Sequence, residues 1–439
     1  MVLRYNSNGS LDNTFGTNGK AITKFNAVPS IETVTSVGIQ SDGKILAFGS
    51  TYNDGTILAF ARYNTDGSLD NSFAGAGKDT IVIQGLTEPK VLKIQDDGKI
   101  LLLAYVSGFD LMVIRLNSDG SLDNTFGIGG KVIVDPTAND DYPYDMVIQN
   151  DGKIVICGTA SGAYDIFIIR LNTDGTLDTT FDTDGILTTD HENGNQDAFA
   201  IALQSDGKIV IGGRHFGFSE FFIVARYNTD GGLDVTFDSD GILTGSFGGD
   251  SECVDLIIQS NGKIVVAGHV GITGVGSLFA IARLNTNGSF DTSFDGDGVQ
   301  TTSFSVDDDY GQALAKQPDG KFVLVGEAET IGGPYLNGMA LARYNNSDDL
   351  GFNEIESNLI DLNMYPNPSN NSVTIKLDSW IENGEIEIYN VAGQKVAENA
   401  RITNKMMQIE TLKLSNGKYT VKVVSGGLTV ASKELIVIH

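Results

Sequence analysis

The residues with the clearest chemical potential in this sequence are clustered carboxylates. Three phenylalanines open the strings FDTDG, FDSDG and FDGDG, so Asp178, Asp182 and Asp184, then Asp234, Asp238 and Asp240, then Asp291, Asp295 and Asp297, crowd oxygens around a glycine turn. Calcium selects hard oxygen ligands in flexible acidic loops of this kind, and it is the one cofactor these triplets suggest. Three equivalent stretches read FGTNG, FAGAG and FGIGG, and no glutamate follows at the spacing of a helix-loop-helix calcium site. The segment persists without its acids, so the plainer expectation is that they make turns.

The acids belong to a longer string, R-[YL]-N-x-x-G-x-[LF]-D-x-[ST]-F, which begins at Arg4, Arg62, Arg115, Arg170, Arg226 and Arg283. Each arginine stands eight positions before an aspartate, as Arg170 does before Asp178; in a seventh, decayed copy Arg343 faces Gly351 instead. Identical recurrence suits an ion pair that pins a strand connection in every unit. Catalysis finds little support. The four histidines (His191, His215, His269, His439) match no metal-ligand spacing, and no nucleophile elbow or phosphate loop occurs. Acid pairs of glycosidase type follow from an acidic composition alone, so no enzyme is expected.

A second string, Q-x-[DN]-G-K-[IF], places glutamines at Gln40, Gln95, Gln149, Gln204, Gln259 and Gln317, with successive spacings of 55, 54, 55, 55 and 58 residues. That period belongs to tandem structural repeats. In one unit Asp145 to Gln149 and Lys153 to Gly158 flank Asn150-Asp151-Gly152, where an Asp-Gly pair suits a tight hairpin. Asp165 to Asn172 and Ile186 to Thr189 supply a third and a fourth strand, rich in Val, Ile, Phe and Leu. A four-stranded antiparallel sheet apolar on both faces must stack on neighbours, and radial stacking makes an all-β propeller. Residues 1–350 are assigned to it. Six blades are favoured, with the strand Ala21 to Phe25 completing the last blade and Val2 to Asn6 left over; seven blades are the alternative.

Antiparallel parity puts the uniform Asp-Gly-Lys turns on one face of the ring and the variable connections on the other. Ligand groups are expected on the variable face: Arg214, His215, Phe216 and Phe218 in the segment RHFGFSE, and the acidic run Asp307-Asp308-Asp309. Further acidic connections are expected at Asp135 to Asp141, Asp190 to Asp197 and Asp250 to Asp255. For any one loop, solvation or packing is the simpler role.

The formal charge of -27 argues against nucleic acid or an anionic membrane as partner. From Ile360 to His439 eight Lys plus Arg balance eight Asp plus Glu, so the acidic excess sits in the repeats. No apolar run is long enough for a transmembrane segment. Cys157 and Cys253 occupy non-equivalent positions and are not expected to pair. Met1-Val2-Leu3-Arg4 already belongs to a repeat, which leaves no room for a signal peptide in this sequence and suggests a truncated start.

After an acidic linker at 351–363, residues 364–439 change character: MYPNPSNNSVTIKL, EIEIYNVAGQKV and LKLSNGKYTVKV alternate apolar and polar residues between Asn-Gly and Ala-Gly turns. A small β-sandwich of about seven strands is expected, with Trp380 as its anchor. This stretch resembles the C-terminal sorting domain of type IX secretion substrates in Bacteroidota, on Tyr365, Pro366, Asn367, Pro368, Gly393, Gly417 and Tyr419. The repeats, on SLDxxF and Q-x-D-G-K, resemble delta-60 repeat propellers. These resemblances imply handling by the type IX secretion machinery and an extracellular or cell-surface location. The expected function is a binding or adhesion propeller engaging a surface glycan or protein; a structural coat component is the alternative, and a polysaccharide-acting enzyme a distant third.

Overall fold

Each Q-x-[DN]-G-K string folds as a tight turn between two strands. Gly152 adopts a φ of 83°, which glycine reaches without a Cβ clash, and its amide donates to the Gln149 carbonyl at 2.8 Å. The computed structural model describes residues 1–439 except 26–30, 53–54, 109, 138, 163, 193, 218, 305–307, 330–336, 347–361, 378–383, 391–394, 397–399 and 426–427. The chain divides into two units, Met1–Ser347 and Asp348–His439. All regular structure among the described residues is β-strand. The expected linker lies mostly outside the described residues, as does Trp380.

Among the described residues the repeats form five four-stranded meanders, one three-stranded sheet and one two-stranded sheet. In the fourth unit Asp141–Ile148, Ile154–Ala160, Asp165–Leu171 and Ile186–Thr189 pair in chain order, all antiparallel. Both faces are buried: Phe167 and Ile169 pack toward the third unit, Ile166 and Ile168 toward the fifth. Each such side chain contributes about 1.5–3 kcal/mol of burial, which is what holds one sheet on the next. First strands of consecutive units lie side by side.

Two expectations are corrected. The first strands begin earlier than the hydrophobic pattern suggested, so Asp141, Asp197 and Asp250 to Asp255 lie inside strands Asp141–Ile148, Asn195–Leu203 and Asp250–Ile258 and not in loops. The N-terminal strand does not complete the last sheet. Among the described residues Val2–Leu3 pairs with Lys20–Ala21 in a two-stranded sheet, and Asp309–Lys316, Phe322–Glu329 and Asn337–Tyr344 form the last sheet.

The recurrent arginine explains how units join. Arg170 Nε donates to Asp178 Oδ2 at 2.6 Å, its guanidinium lies 4.7 Å from the Phe181 ring centroid, and Nη1 donates to the Thr229 carbonyl of the next unit at 2.5 Å. Equivalent links run from Arg62 to Ser118 at 2.6 Å, Arg115 to Thr173 at 2.5 Å and Arg226 to Thr286 at 2.5 Å. Arg4 likewise reaches Thr65. Arg283 reaches Asn346 Oδ1 at 3.1 Å, and Arg343 Nη1 reaches the Ser7 carbonyl at 2.9 Å. That last bond sets the seventh unit beside the first, so the ring counts seven units, the alternative to the six-blade closure.

The acidic turns have a geometric cause. The residue after each phenylalanine has φ between 42° and 54°: Gly16, Ala74, Gly127, Asp182, Asp238 and Asp295. Glycine and aspartate tolerate this left-handed region better than most residues. The amide there crosses to the next unit, as Asp182 N does to the Asp230 carbonyl at 3.1 Å. Asp184, Asp240 and Asp297 each accept the amide two residues on, at 2.9 Å. Asp178, Asp234 and Asp291 face arginine and lysine. The nine carboxylates do not converge, and among the described residues no group of three His, Cys, Asp or Glu is disposed to hold a metal ion.

In the C-terminal unit Leu362–Tyr365, Ser372–Leu377 and Met406–Glu410 form one sheet, and Ala400–Arg401, Glu385–Asn390, Gly417–Ser425 and Leu428–Val437 another. Val373, Ile375, Val421, Val423, Leu435 and Val437 are fully buried in their common core.

Two predictions follow from the joints. Arg170→Ala strands the buried Asp178 and should cost about 3 kcal/mol or more in urea unfolding. Burial works against the charged Asp178, but hydrogen bonds from Lys153, Thr180 and Arg170 outweigh it and hold the carboxyl well below the usual range. Its contribution is therefore complete above the unfolded value of about 4 and is lost as pH falls from there through the folded value. The gap in melting temperature between the native chain and Asp178→Asn should stay constant above about pH 5 and close in stronger acid. At the turn, Asp182→Gly should leave stability within about 0.5 kcal/mol, while Asp182→Val should cost about 1–2 kcal/mol, with or without chelator. Dependence of either variant on calcium would support the cation reading.

Candidate ligand-binding face

The residues expected on the variable face are only partly free to bind. Arg214, His215 and Phe216 end the strand Ile209–Phe216, paired with Asp197, Gln196 and Asn195. Asp309 is buried and accepts the Phe304 amide at 2.7 Å, holding its own segment, while Asp308 accepts the Ser277 amide at 2.8 Å and ties that segment to the strand Gly276–Leu284 of the preceding unit. Phe218 and Asp307 lie outside the described residues. His215 sits edge-on to His191 at 5.9 Å; burial, with the neighbouring His191, lowers its pKa.

A feature of the first strands gathers Arg214 into a larger array. Each first strand carries a bulge: register shifts fall at Val34/Ser36, Pro89/Leu92, Pro143/Asp145, Ala198/Ala200, Cys253/Asp255 and Gly311/Ala313. The residues turned out of register, Thr35, Lys90, Tyr144, Phe199, Val254 and Gln312, each stand five positions before the recurrent glutamine. A bulge re-aims one side chain without breaking the sheet. These six positions share backbone geometry yet no chemistry, which is how a scaffold presents a variable surface. Sequence reasoning missed them; the signal was a non-repeating position at constant distance from a repeating one.

The bulge residues touch from unit to unit. Lys90 Nζ lies 4.9 Å from the Tyr144 ring centroid, and Tyr144 meets Phe199 edge to face at 4.9 Å. Arg214 lies 5.6 Å from the Phe199 ring and 4.6 Å from that of Phe216. It donates to Asp197 Oδ2 at 2.7 Å and to Glu252 Oε1 at 2.6 Å. Glu252 Oε2 faces His269 Nε2 at 3.7 Å, and His269 meets Tyr310 edge to face at 5.0 Å. The belt thus runs from the third unit to the seventh.

Partial burial sets its electrostatics. Burial, then the Asp197 charge, pushes the Tyr144 phenol up to about 12, so it remains a hydrogen-bond donor at neutral pH. Burial works against the Arg214 charge, but Asp197 and Glu252 outweigh it and raise the pKa. Burial lowers the pKa of His269. Aromatic rings bordered by a held cation, two carboxylates and a half-buried imidazole can stack on an apolar face while bonding its polar rim.

The sorting-signal residues lie in the C-terminal sandwich. Tyr365 ends the strand Leu362–Tyr365, and Pro366 and Pro368 follow cis peptide bonds. Asn367 Oδ1 accepts the Ile436 amide at 2.8 Å, tying that loop to the last strand. Gly417 opens the strand Gly417–Ser425, where Tyr419 is buried and donates to the Ser415 carbonyl at 2.8 Å. Gly393 lies outside the described residues.

Comparison with known proteins follows the same division. Residues 363–438 match the secretion system C-terminal sorting domain. Residues 2–15, 40–73, 95–126, 149–181, 204–237 and 259–294 match the domain of unknown function (DUF5122) beta-propeller. No curated protein matches the chain. Among solved structures, virginiamycin B lyase from Staphylococcus aureus is similar at 11% identity over 80% of this chain and 95% of its own, with a TM-score of 0.43. A protein of unknown function from Dyadobacter fermentans is similar at 13% over 71% and 94%, TM-score 0.43, and puromycin hydrolase at 12% over 89% and 58%, TM-score 0.41. The chain thus carries six DUF5122 β-propeller stretches and a secretion system C-terminal sorting domain, and the latter indicates export through type IX secretion to the cell surface or beyond.

Proposed function

We propose that the exported propeller is a non-catalytic binding module whose bulge belt engages a surface glycan. The observation that carries this reading is the run Lys90, Tyr144, Phe199, Arg214, Glu252, His269 and Tyr310 across five units, in which the first three occupy the first-strand bulges and the rest lie on the strands beside them. Rings suit the C–H faces of a sugar, and charged rims suit its hydroxyls. A spacer or coat role is the second reading. It is favoured by the fact that Arg214 already pairs with Asp197 and Glu252, leaving little of its donor capacity unmet.

A glycan array probed with the intact chain separates the two. Tyr144→Ala and Arg214→Ala should each weaken glycan capture about tenfold with circular dichroism unchanged, a loss typical of a buried anchor. Capture by neither the native chain nor the variants supports the spacer, and release of reducing sugar from a captured glycan would argue for an enzyme. Separately, deletion of residues 364–439 should leave the protein in the periplasm; unchanged surface delivery would count against the sorting role.

A further inference from the structure

We propose that the face of the ring bearing the hairpin turns holds a binding site for a neutral di- or trisaccharide, in a cavity of about 910 Å³ between the fourth, fifth and sixth units. That volume falls within the range of about 300–1,000 Å³ typical of small-molecule sites. Every residue lining it belongs to these three units, each of which has its four strands. Its floor is apolar, because Ile148, Leu203 and Ile258 end the three first strands there and are half-buried. No residue of the bulge belt lines it. Leu203 stands four positions after Phe199, about 13 Å along an extended strand, so the site does not rest on the reading of the belt.

One wall supplies a buried acceptor whose orientation is fixed. Gln259 is 7% exposed, and its Oε1 accepts no hydrogen bond among the described residues. The amide cannot be turned round to relieve this. Its Nε2 donates to Asn346 Oδ1 at 2.8 Å, and the same oxygen accepts Arg283 Nη1 at 3.1 Å. A guanidinium only donates, so that atom of Asn346 is its oxygen and the Gln259 atom facing it is nitrogen. Gln95 and Gln317 leave the same oxygen unpaired, but of the three only Gln259 lines the cavity. A buried acceptor left unmet is costly, so it favours a hydroxyl or N–H brought in by a ligand.

The rest of the lining supplies donors without net charge. Arg226 has five N–H groups and commits three, to Asp234 at 2.7 Å, to the Thr286 carbonyl at 2.5 Å and to Thr236 Oγ1 at 3.1 Å, so two remain without an acceptor among the described residues. Its charge and that of Lys208 both fall on Asp234, each at 2.7 Å, with Asp206 4.0 Å from Lys208, so cations and carboxylates balance in number. Asn287 adds an amide: its Oδ1 accepts the Ser289 amide at 3.2 Å and the Ser289 hydroxyl at 2.8 Å, which leaves Nδ2 as a donor. The four other complete units place Asp66, Asp119, Asp174 and Asp230 at this position, and the sixth also has Asn261 where they have Asp42, Asp97, Asp151 and Asp206. On an acidic ring the cavity thus borders the one complete unit that lacks a carboxylate in both turns. A sugar hydroxyl both donates and accepts, and the sugar ring carries C–H groups for the aliphatic floor. That is the complement of a mixed donor and acceptor rim with no net charge.

Titration calorimetry of the intact chain against cellobiose, lactose, maltotriose and mannotriose tests the site, with glucuronic acid and glucosamine as charged comparisons. At least one of the four neutral sugars should bind at one per chain, more tightly than either charged sugar, and raise the melting temperature as its concentration grows. Asn287→Asp restores the residue of four sister units and so keeps the fold. It should weaken binding roughly fivefold, the loss of one neutral hydrogen bond. Leu203→Trp should abolish binding by filling the floor, while Tyr144→Ala in the belt should leave it unchanged. The proposal is overturned if none of the four sugars binds, if a charged sugar binds more tightly, or if binding is unchanged in either Leu203→Trp or Asn287→Asp. Loss of binding in Tyr144→Ala also overturns it, because the sugar then sits on the belt.

Discussion

In each of its five complete units the ring depends on one buried arginine. Its guanidinium is committed three ways at once, to an aspartate eight residues on, to the face of a buried phenylalanine, and to a turn carbonyl in the next unit. Only a planar fork of donors can meet a carboxylate, a ring and a carbonyl together; a lysine ammonium is a point charge on a flexible stem. The carboxylate is further held by lysine and by a Ser or Thr hydroxyl, which fills its acceptor sites. A buried charge set of this kind is costly to break because removal of one member strands the others. Side-by-side burial of Ile, Val and Phe supplies the bulk of the cohesion, and the arginine fixes which neighbour sits where and at what register.

That commitment divides the residues of the repeat into two populations. Arg, Asp, Phe and the glycine turns are saturated by partners within and between units, so they have little left to offer a ligand. Variation falls where the backbone is held but the side chain is not, and the first-strand bulges provide such a position in six units. Tyr144 and Phe199 meet there because two adjacent bulges turn the same sequence position toward one another. The aromatic and charged belt is a consequence of repeat geometry, with its chemistry set by residues the repeat leaves free.

Much of this was legible in the sequence. The period of the Q-x-[DN]-G-K strings located the hairpins, and the constant spacing of arginine and aspartate anticipated the ion pairs. The extent of the first strands was not legible, because a bulge at Tyr144 resets the alternation and makes Asp141 to Asp145 look like a polar loop. The acidic triplets are ambiguous for a related reason: Asp182 occupies a left-handed turn that Gly16 and Gly127 fill elsewhere, so a turn requirement and a ligand set call for the same residue there. Ring closure was hidden too. Counting strands treated the N-terminal segment as a spare edge, whereas the bond from Arg343 to Ser7 depends on contacts between the two ends of the repeat region.

The central claim is that the arginine joints, and not the acids as ligands, hold unit to unit. Hydrogen exchange on the intact chain and on Arg170→Lys tests it most directly. The account predicts faster exchange at the Asp182 amide and through the turn at 228–231, on both sides of the boundary that Arg170 bridges, with the equivalent amides of Ala74 and Gly127 still protected. Unchanged protection at Asp182, or a uniform loss around the whole ring, would contradict it.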